Sequence, residues 1–176
     1  MNSLPRSLVL LAAVAFSSSS LPAQDVSCAQ QNPKIDYPGF LRSAGDVDLL
    51  RKSRRITEAQ FIELAGQPGT VILDARSAAK YELLHIRGAK NLSLPDFTEE
   101  ELAKVIPEKT TRVLIYCNNN FADEEKAFPS KVARAALNIY TFNTLYSYGY
   151  RNIYELGPLV ETATTQLPLE GTRKPQ

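Results

Sequence analysis

The stretch that decides the fold reads Val113-Leu114-Ile115-Tyr116-Cys117, and it continues as Asn118-Asn119-Asn120-Phe121-Ala122. A short, partly β-branched apolar run without helical periodicity predicts a buried strand of a parallel sheet. Cys117 then stands at the C-terminal end of this strand, where α/β folds place their ligands. Backbone N–H groups at such a position can point at the sulfur and favour the thiolate, which is the reactive form of cysteine. The alternative is a small buried residue that only ends the strand, because free cysteine is among the most buried residue types.

Predicted strands and helices alternate along the chain on both sides of this stretch. Strands are predicted at residues 55–56, 70–73, 89–94, 112–116 and 151–156. Helices are predicted at 46–52, 57–65, 77–84, 98–105, 130–137 and 142–148, the second and the fourth with capping boxes that start at Thr57 and Thr98. Residues 24–45 are rich in Pro and Gly and are predicted to be an extended lead-in. The alternation predicts an α/β fold with a mostly parallel five-stranded sheet flanked by helices on both faces.

The first 23 residues have the order of a secretory signal peptide. Arg6 supplies a positive start, residues 8–16 form an apolar segment, and the following residues lead to a cleavage site after Ala23. The apolar segment is too short to span a bilayer, so the protein is predicted to be periplasmic or secreted, with no membrane span. A lipoprotein anchored through Cys28 is a weaker alternative, because Asp25-Val26-Ser27 is a poor approach to a lipidation cysteine.

The charge balance argues against a nucleic-acid partner. The chain has 20 Lys and Arg against 19 Asp and Glu, and loss of the signal peptide removes only Arg6, which leaves 19 charges of each sign. The basic cluster Arg51-Lys52-Ser53-Arg54-Arg55 is followed closely by Glu58 and Glu63, so it is predicted to be a solvated face.

The two cysteines and the single histidine show no metal-ligand spacing, so neither a metal nor another cofactor is predicted. A disulfide between Cys28 and Cys117 stays open as an alternative to a free thiol, because an exported protein meets oxidising surroundings.

Four segments of the chain are together similar to a known family. They read Val71-Ile72-Leu73-Asp74-Ala75-Arg76, His85-Ile86-Arg87-Gly88-Ala89-Lys90-Asn91-Leu92, Val113-Leu114-Ile115-Tyr116-Cys117 and Gly149-Tyr150-Arg151-Asn152-Ile153-Tyr154-Glu155-Leu156. In this order and at this spacing they resemble the rhodanese-like domain. The resemblance implies a single rhodanese-like domain at residues 54–162, preceded by an N-terminal extension at 24–53 and followed by a C-terminal tail at 163–176.

The resemblance also implies roles for individual residues. In this family the sulfur-carrying cysteine stands at the position of Cys117, and a persulfide forms on it during sulfur transfer. The active-site loop corresponds to Asn118, Asn119, Asn120, Phe121 and Ala122. The residues that match positions shaping the fold are Asp74, Arg76, His85 and Gly88.

The loop after Cys117 departs from the family pattern. The family loop usually contains glycine and a basic residue, whereas residues 118–123 contain neither, and the first basic residue is Lys126 in a loop that extends to about Ser130. Asparagine is the best non-glycine substitute for left-handed backbone angles, so a cradle of N–H groups is still expected. Asp123 stands where the related dual-specificity phosphatases need arginine, which argues against phosphatase activity.

Two further departures concern charge. Asp123, Glu124 and Glu125 follow the thiol closely, and unless they face solvent they would raise its pKa and repel an anionic donor such as thiosulfate. A neutral or protein-borne sulfur donor is therefore expected. Lys80 replaces an acidic residue of the family pattern, which leaves either Glu82 or no residue as the distant partner of Arg76.

Two hypotheses follow. The first is a sulfurtransferase-like enzyme that carries a persulfide on Cys117 between a sulfane-sulfur donor and a thiol acceptor. The second is a catalytically inactive rhodanese-like module that uses the enlarged loop and nearby aromatic residues to bind a partner. Thiol reactivity at Cys117 discriminates between them.

Overall fold

The computed structural model describes residues 32–173, so the predicted signal peptide and Cys28 lie outside the described residues. A compact unit begins at Asp36. Its helices are α1 (Tyr37–Arg51), α2 (Glu58–Ala65), α3 (Ala78–Leu83), α4 (Glu99–Val105) and α5 (Leu137–Ser147). Its strands are β1 (Arg55–Ile56), β2 (Thr70–Asp74), β3 (His85–Ile86), β4 (Lys90–Asn91), β5 (Arg112–Tyr116), β6 (Ile153–Leu156) and β7 (Leu169–Glu170).

The predicted five-stranded sheet is confirmed. Its strand order is β1-β6-β5-β2-β4, and each neighbouring pair is parallel. The run from Arg112 to Tyr116 is the central strand, in register with Thr70 to Asp74 on one side. On the other side, β5 pairs with β6 from Val113 to Ile115. This order places Cys117 at the C-terminal edge of the middle of the sheet.

Alternate residues of β5 enter two separate apolar cores, one on each face of the sheet. Val113 and Ile115 pack in a core with residues of three helices, namely Val47 of α1, Leu102 of α4, and Phe142 and Leu145 of α5. Leu114 and Tyr116 pack in the opposite core, which contains Phe61 of α2. Helices therefore cover both faces, as the continuous apolar strands predict.

The predicted extended lead-in is wrong from Tyr37 onward, because the helix predicted at 46–52 begins nine residues earlier as α1. Asp36 caps this helix, with its carboxylate accepting from the Gly39 backbone N–H at 2.8 Å. Pro38 lies in the first turn, where its missing N–H is not needed. Val47 is buried on the inner face of α1. The segment that looks like a turn is therefore a helix start.

The helix predicted at 130–137 is also wrong. This segment contains only a 3-10 turn at Ala133–Ala135, and the regular helix α5 starts at Leu137. The side chain of Asn119 explains the difference, because it bonds both backbone groups of Lys131, accepting from its N–H at 3.1 Å and donating to its carbonyl at 2.6 Å. The strand predicted at 89–94 shortens to Lys90–Asn91, because Pro95 lies in a 3-10 turn.

The segment predicted as a C-terminal tail contributes strand β7, which pairs antiparallel with His85–Ile86. Its last described residue, Arg173, forms an ion pair with Glu124 at 3.0 Å. The segment therefore crosses β3 and reaches the enlarged loop. Among residues 32–173, no helix has the length and apolar character needed to cross a membrane.

Candidate active site

Cys117 directly follows the central strand and lies in a cavity of about 240 Å³. The residue is only 2% exposed. Within residues 32–173 its thiol has no disulfide partner, and the predicted alternative of a bridge to Cys28 falls on a residue outside the described range. The polar and charged residues that line the cavity with Cys117 are Arg51, Arg55, Asn119, Asn120, Asn138 and Glu155.

Backbone N–H groups from two parts of the chain act on the pKa of the Cys117 thiol. One comes from Asn119 in the loop, and two come from Leu137 and Asn138 in the first turn of α5. Burial raises the pKa of the Cys117 thiol above its ordinary value, the three N–H groups oppose this rise, and the carboxylate of Glu155 adds to it. The site therefore combines an anion cradle with an environment that favours the neutral thiol.

The cradle forms without left-handed asparagines. Residues Asn118–Asn120 make a 3-10 turn, and no non-glycine residue within 32–173 has a positive φ. The side chain of Asn120 holds the turn instead, since its Oδ1 accepts from the Cys117 backbone N–H at 2.9 Å and its Nδ2 donates to the Leu156 carbonyl at 2.9 Å. Three of the loop N–H groups expected in the cradle, those of Asn120, Phe121 and Ala122, donate to backbone carbonyls instead. Of the loop residues, Asn119 acts on the thiol, and the predicted backbone angles are wrong.

The five predicted loop residues divide between the cavity and the core. Asn119 and Asn120 line the cavity of Cys117. Asn118 lines a separate cavity beside Arg76. Phe121 is buried and stacks on Phe128 with ring centroids 4.0 Å apart. The Ala122 backbone N–H donates to the Val160 carbonyl at 2.9 Å, which attaches the loop to the segment after β6.

The acidic residues after the loop make their contacts away from the sulfur. Asp123 accepts from the Thr162 backbone N–H at 2.7 Å, and Glu124 accepts from Arg173 at 3.0 Å. Burial would raise the pKa of each carboxyl, but the hydrogen bonds from Thr162 to Asp123 and from Arg173 to Glu124 outweigh it, so both pKa values are lowered. The expectation that these acids raise the pKa of Cys117 is wrong for Asp123 and Glu124.

Glu155 is the carboxylate that affects the thiol, and sequence reasoning missed it. It lies on β6, its side chain is 2% exposed, and it pairs with Arg51 at 2.7 Å and Arg55 at 2.9 Å. Burial raises the pKa of Glu155, and the two arginines oppose that rise. The predicted solvated face at 51–55 is therefore wrong for Arg51, whose side chain is 24% exposed, whereas Arg55 is 58% exposed and keeps its solvated side. The pairing of β1 with β6, which sets Arg55 opposite Glu155, is the signal that could have revealed the contact.

Two of the residues predicted to shape the fold, Asp74 and Arg76, lie in a sealed network. Arg76 bonds the Asp74 carboxylate through Nε at 2.9 Å and also donates to the backbone carbonyls of Leu84 and Ala127. Arg76 does not contact Glu82. Of the two alternatives predicted for Arg76, the structure therefore has the one without a distant acidic partner. The network ties the end of β2 to the enlarged loop through Ala127.

His85 and Gly88 have local structural roles. The His85 ring stacks on Tyr81 at 3.7 Å between centroids, and its Nδ1 lies 2.7 Å from the Tyr81 carbonyl. Gly88 has a φ of +80°, a backbone conformation that favours glycine. Neither residue lines the cavity of Cys117.

A family comparison agrees with this geometry. A family model described as the rhodanese-like domain matches residues 57–156, which is 100 of the 176 residues. The chain belongs to the rhodanese-like domain family. The model ends before the C-terminal segment and begins after Arg51 and Arg55, so these two arginines lie outside the matched region. No curated protein matches the chain.

Solved structures that resemble this rhodanese-like chain come from bacteria. The BH2092 protein of Bacillus halodurans has a TM-score of 0.51 at 19% identity, over 75% of this chain and 87% of that one. The rhodanese-like domain of the Alr3790 protein from Anabaena has a TM-score of 0.48 at 25% identity, over 70% and 85% respectively. The similarity to the BH2092 protein supports the fold and says nothing about activity.

A larger cavity, of about 350 Å³, lies on the opposite side of the sheet and is lined mainly by apolar residues that include Phe61, Ile62, Ile72 and Leu167. Cys117 does not line it. Within residues 32–173 no group of three or more His, Cys, Asp or Glu side chains is arranged to hold a metal. The cavity of Cys117 is therefore the candidate active site.

Proposed function

We propose that the protein is a sulfurtransferase that carries sulfane sulfur as a persulfide on Cys117 and passes it to an acceptor thiol. The observation that carries this proposal is the position of Cys117 in a cavity at the end of the central strand, where the N–H groups of Asn119, Leu137 and Asn138 oppose the rise in its pKa. Such donors stabilise an anionic sulfur, either as the attacking thiolate or as the persulfide that follows.

The chemistry needs no redox partner. The Cys117 thiolate attacks the outer sulfur of the donor, a sulfur–sulfur bond forms on the protein, and the donor's own sulfur–sulfur bond breaks with its electron pair on the leaving group. An acceptor thiolate then attacks the outer sulfur of the persulfide, and Cys117 leaves as the thiolate. The donor and acceptor are small molecules or proteins that carry these groups.

Export to the periplasm or the cell exterior is part of the proposal and rests on the signal-peptide pattern of residues 1–23. At 2% exposure, Cys117 is shielded from the oxidants that an exported protein meets.

The test is the intact mass of the purified protein after incubation with thiosulfate or, separately, with inorganic polysulfide. A Cys28→Ser background leaves Cys117 as the only thiol, and Cys117→Ser is the matched control. A gain of one sulfur that a reductant reverses and that Cys117→Ser lacks is the expected result. Absence of the adduct with both donors on reduced Cys117 contradicts the proposal.

A binding module without sulfur chemistry is the second candidate, and one observation favours it. Burial raises the pKa of the thiol, and two apolar side chains, Val132 just after the enlarged loop and Tyr140 in α5, are exposed. This candidate predicts no persulfide and no loss of partner binding in Cys117→Ser.

A further inference from the structure

The cavity of Cys117 has a source of positive charge that the active-site loop lacks. Residues 118–122 contain no basic side chain. Arg51, at the end of α1, and Arg55, in β1, line the same cavity as Cys117. Both arginines precede the region matched by the family model, which starts at residue 57.

The arginines outnumber the carboxylate that they share. Glu155 Oε1 contacts Arg51 Nη2 at 2.7 Å and Arg55 Nε at 2.9 Å. Arg51 also reaches the second carboxylate oxygen at 3.0 Å, so this buried acid is fully engaged. Two positive groups against one negative group leave the cavity with a net positive charge among these three residues.

The two arginines differ in availability. The Arg51 side chain is 24% exposed and grips Glu155 with both Nε and Nη2. The Arg55 side chain is 58% exposed and contacts Glu155 through Nε. The terminal nitrogens of Arg55 are therefore more available than those of Arg51 to a molecule that enters the cavity.

An independent observation indicates that the cavity is built for a ligand. Asn138 is 6% exposed and lines the cavity, and its buried Oδ1 has no hydrogen-bond partner in the described part of the chain. Its Nδ2 is used within the protein, donating to Asn120 Oδ1 at 3.3 Å. A buried acceptor without a donor is unfavourable, and because an anion such as thiosulfate offers no donor of its own, a water molecule bound beside the ligand is expected to donate there.

We propose that Arg55, supported by Arg51, recognises the anionic end of the sulfur donor, so that the α1–β1 segment completes the active site. This inference rests on the proposed sulfur transfer. It reverses the sequence-based expectation of a cavity that repels anions. With thiosulfate, the outer sulfur bonds to the Cys117 thiolate and sulfite leaves with the electron pair, with three negative charges on each side of the step.

The test measures the effect of the charge of the cavity without depending on sulfur transfer. In the Cys28→Ser background, Cys117 is alkylated with anionic iodoacetate and, in parallel, with neutral iodoacetamide, and the ratio of the two rates is measured. Any change in the pKa of Cys117 affects both reagents alike and cancels in the ratio. Arg55→Ala is expected to lower the ratio about three- to tenfold, since it removes one partly solvated charge-assisted contact.

Arg54→Ala is the matched control. Arg54 is the adjacent arginine, but it stacks on the Tyr154 ring at 4.4 Å and does not line the cavity. Its removal is expected to leave the ratio unchanged, whereas Arg55→Lys should restore part of what Arg55→Ala loses. Added salt should lower the wild-type ratio more than that of Arg55→Ala.

Each result decides something. Equal ratios in Arg55→Ala and Arg54→Ala overturn the inference, as does a rate of persulfide formation from thiosulfate that Arg55→Ala leaves intact. A ratio that falls in Arg55→Ala while the wild type forms no persulfide supports anion recognition and contradicts sulfur transfer. Failure of both reagents to alkylate reduced, folded Cys117 means that the cavity admits no ligand, and this overturns both proposals.

Discussion

Two carboxylate–arginine groups have their carboxylates on β2 and β6, the strands on either side of the central strand β5, and they differ in access to solvent. Asp74 and Arg76 are sealed, with side-chain exposures of 0% and 1%. Glu155 is equally buried at 2%, but its partners Arg51 and Arg55 are 24% and 58% exposed. The same ion-pair chemistry therefore holds the fold together at one place and opens onto the cavity of Cys117 at the other.

The physical difference lies in what the arginine touches besides the carboxylate. Arg76 donates to the carbonyls of Leu84 and Ala127, so its donors are used within the protein. Arg55 contacts only the edge of Glu155 through Nε and lines a cavity. A charge whose donors are already used stabilises structure, whereas one that faces a cavity is available to a ligand.

The largest expected effect is on the sealed group. Arg76→Ala should lower the free energy of unfolding by about 3–5 kcal/mol, because it leaves Asp74 as a buried charge without its partner. Urea denaturation followed by circular dichroism measures this. Arg87→Ala is the control, since Arg87 is 65% exposed and its contact with Glu170 is 3.4 Å. A loss as small as that of the control would contradict a structural role for the sealed network.

Arg51→Ala should have an intermediate effect, a loss of about 1–3 kcal/mol of unfolding free energy, because Glu155 keeps Arg55 as a second partner. A double-mutant cycle with Glu155→Gln isolates the pair, and the double variant should lose less than the sum of the single losses. Strict additivity would mean that Arg51 stabilises α1 by some other contact.

Glu155→Gln should change the pH dependence of Cys117. The carboxylate contributes to the raised pKa of the thiol, so its removal should move the rate profile of iodoacetamide alkylation to lower pH. The measurement is the alkylation rate from pH 6 to 10, with Asp123→Asn as the control that should leave the profile in place. A profile that stays in place, or that moves to higher pH, would contradict a contribution of Glu155 to the raised pKa of the thiol.

The smallest expected effect on stability belongs to Arg55→Ala, at about 0–1 kcal/mol, because its side chain is mostly solvated. Thermal melting of Arg55→Ala, compared with that of Arg51→Ala, measures this effect. This result, together with a fall in the iodoacetate-to-iodoacetamide ratio, sharpens the contrast between an arginine that maintains the fold and one that faces the cavity. A loss as large as that of Arg76→Ala would remove the contrast.

Local patterns predicted much of the fold. The apolar run before Cys117 became the central strand, and the capping box of Thr57 and Gln60 starts α2 with both of its hydrogen bonds formed. These features depend on neighbours in the chain. The predicted start of α1 was wrong, although its signal is also local. The Pro and Gly of its first turn look like breakers unless Asp36 is recognised as the cap.

The candidate site was predicted only in part. Cys117 and the asparagines that lie beside it in the chain were identified as site residues, whereas Asn138 and Glu155 were not. Long-range contacts account for the misses. Asn119 bonds Lys131, which converts a predicted helix into an irregular segment and lets α5 begin beside the sulfur.

The sequence by itself determined the strand, the thiol at its end and the loop without basic residues, since each depends on residues adjacent in the chain. Only the tertiary structure decided the charge around the thiol. Arg51 and Glu155 are 104 residues apart and meet because β1 pairs with β6. Electrostatic energy depends on distance in space and on burial, and both are set by strand pairing and not by the order of residues.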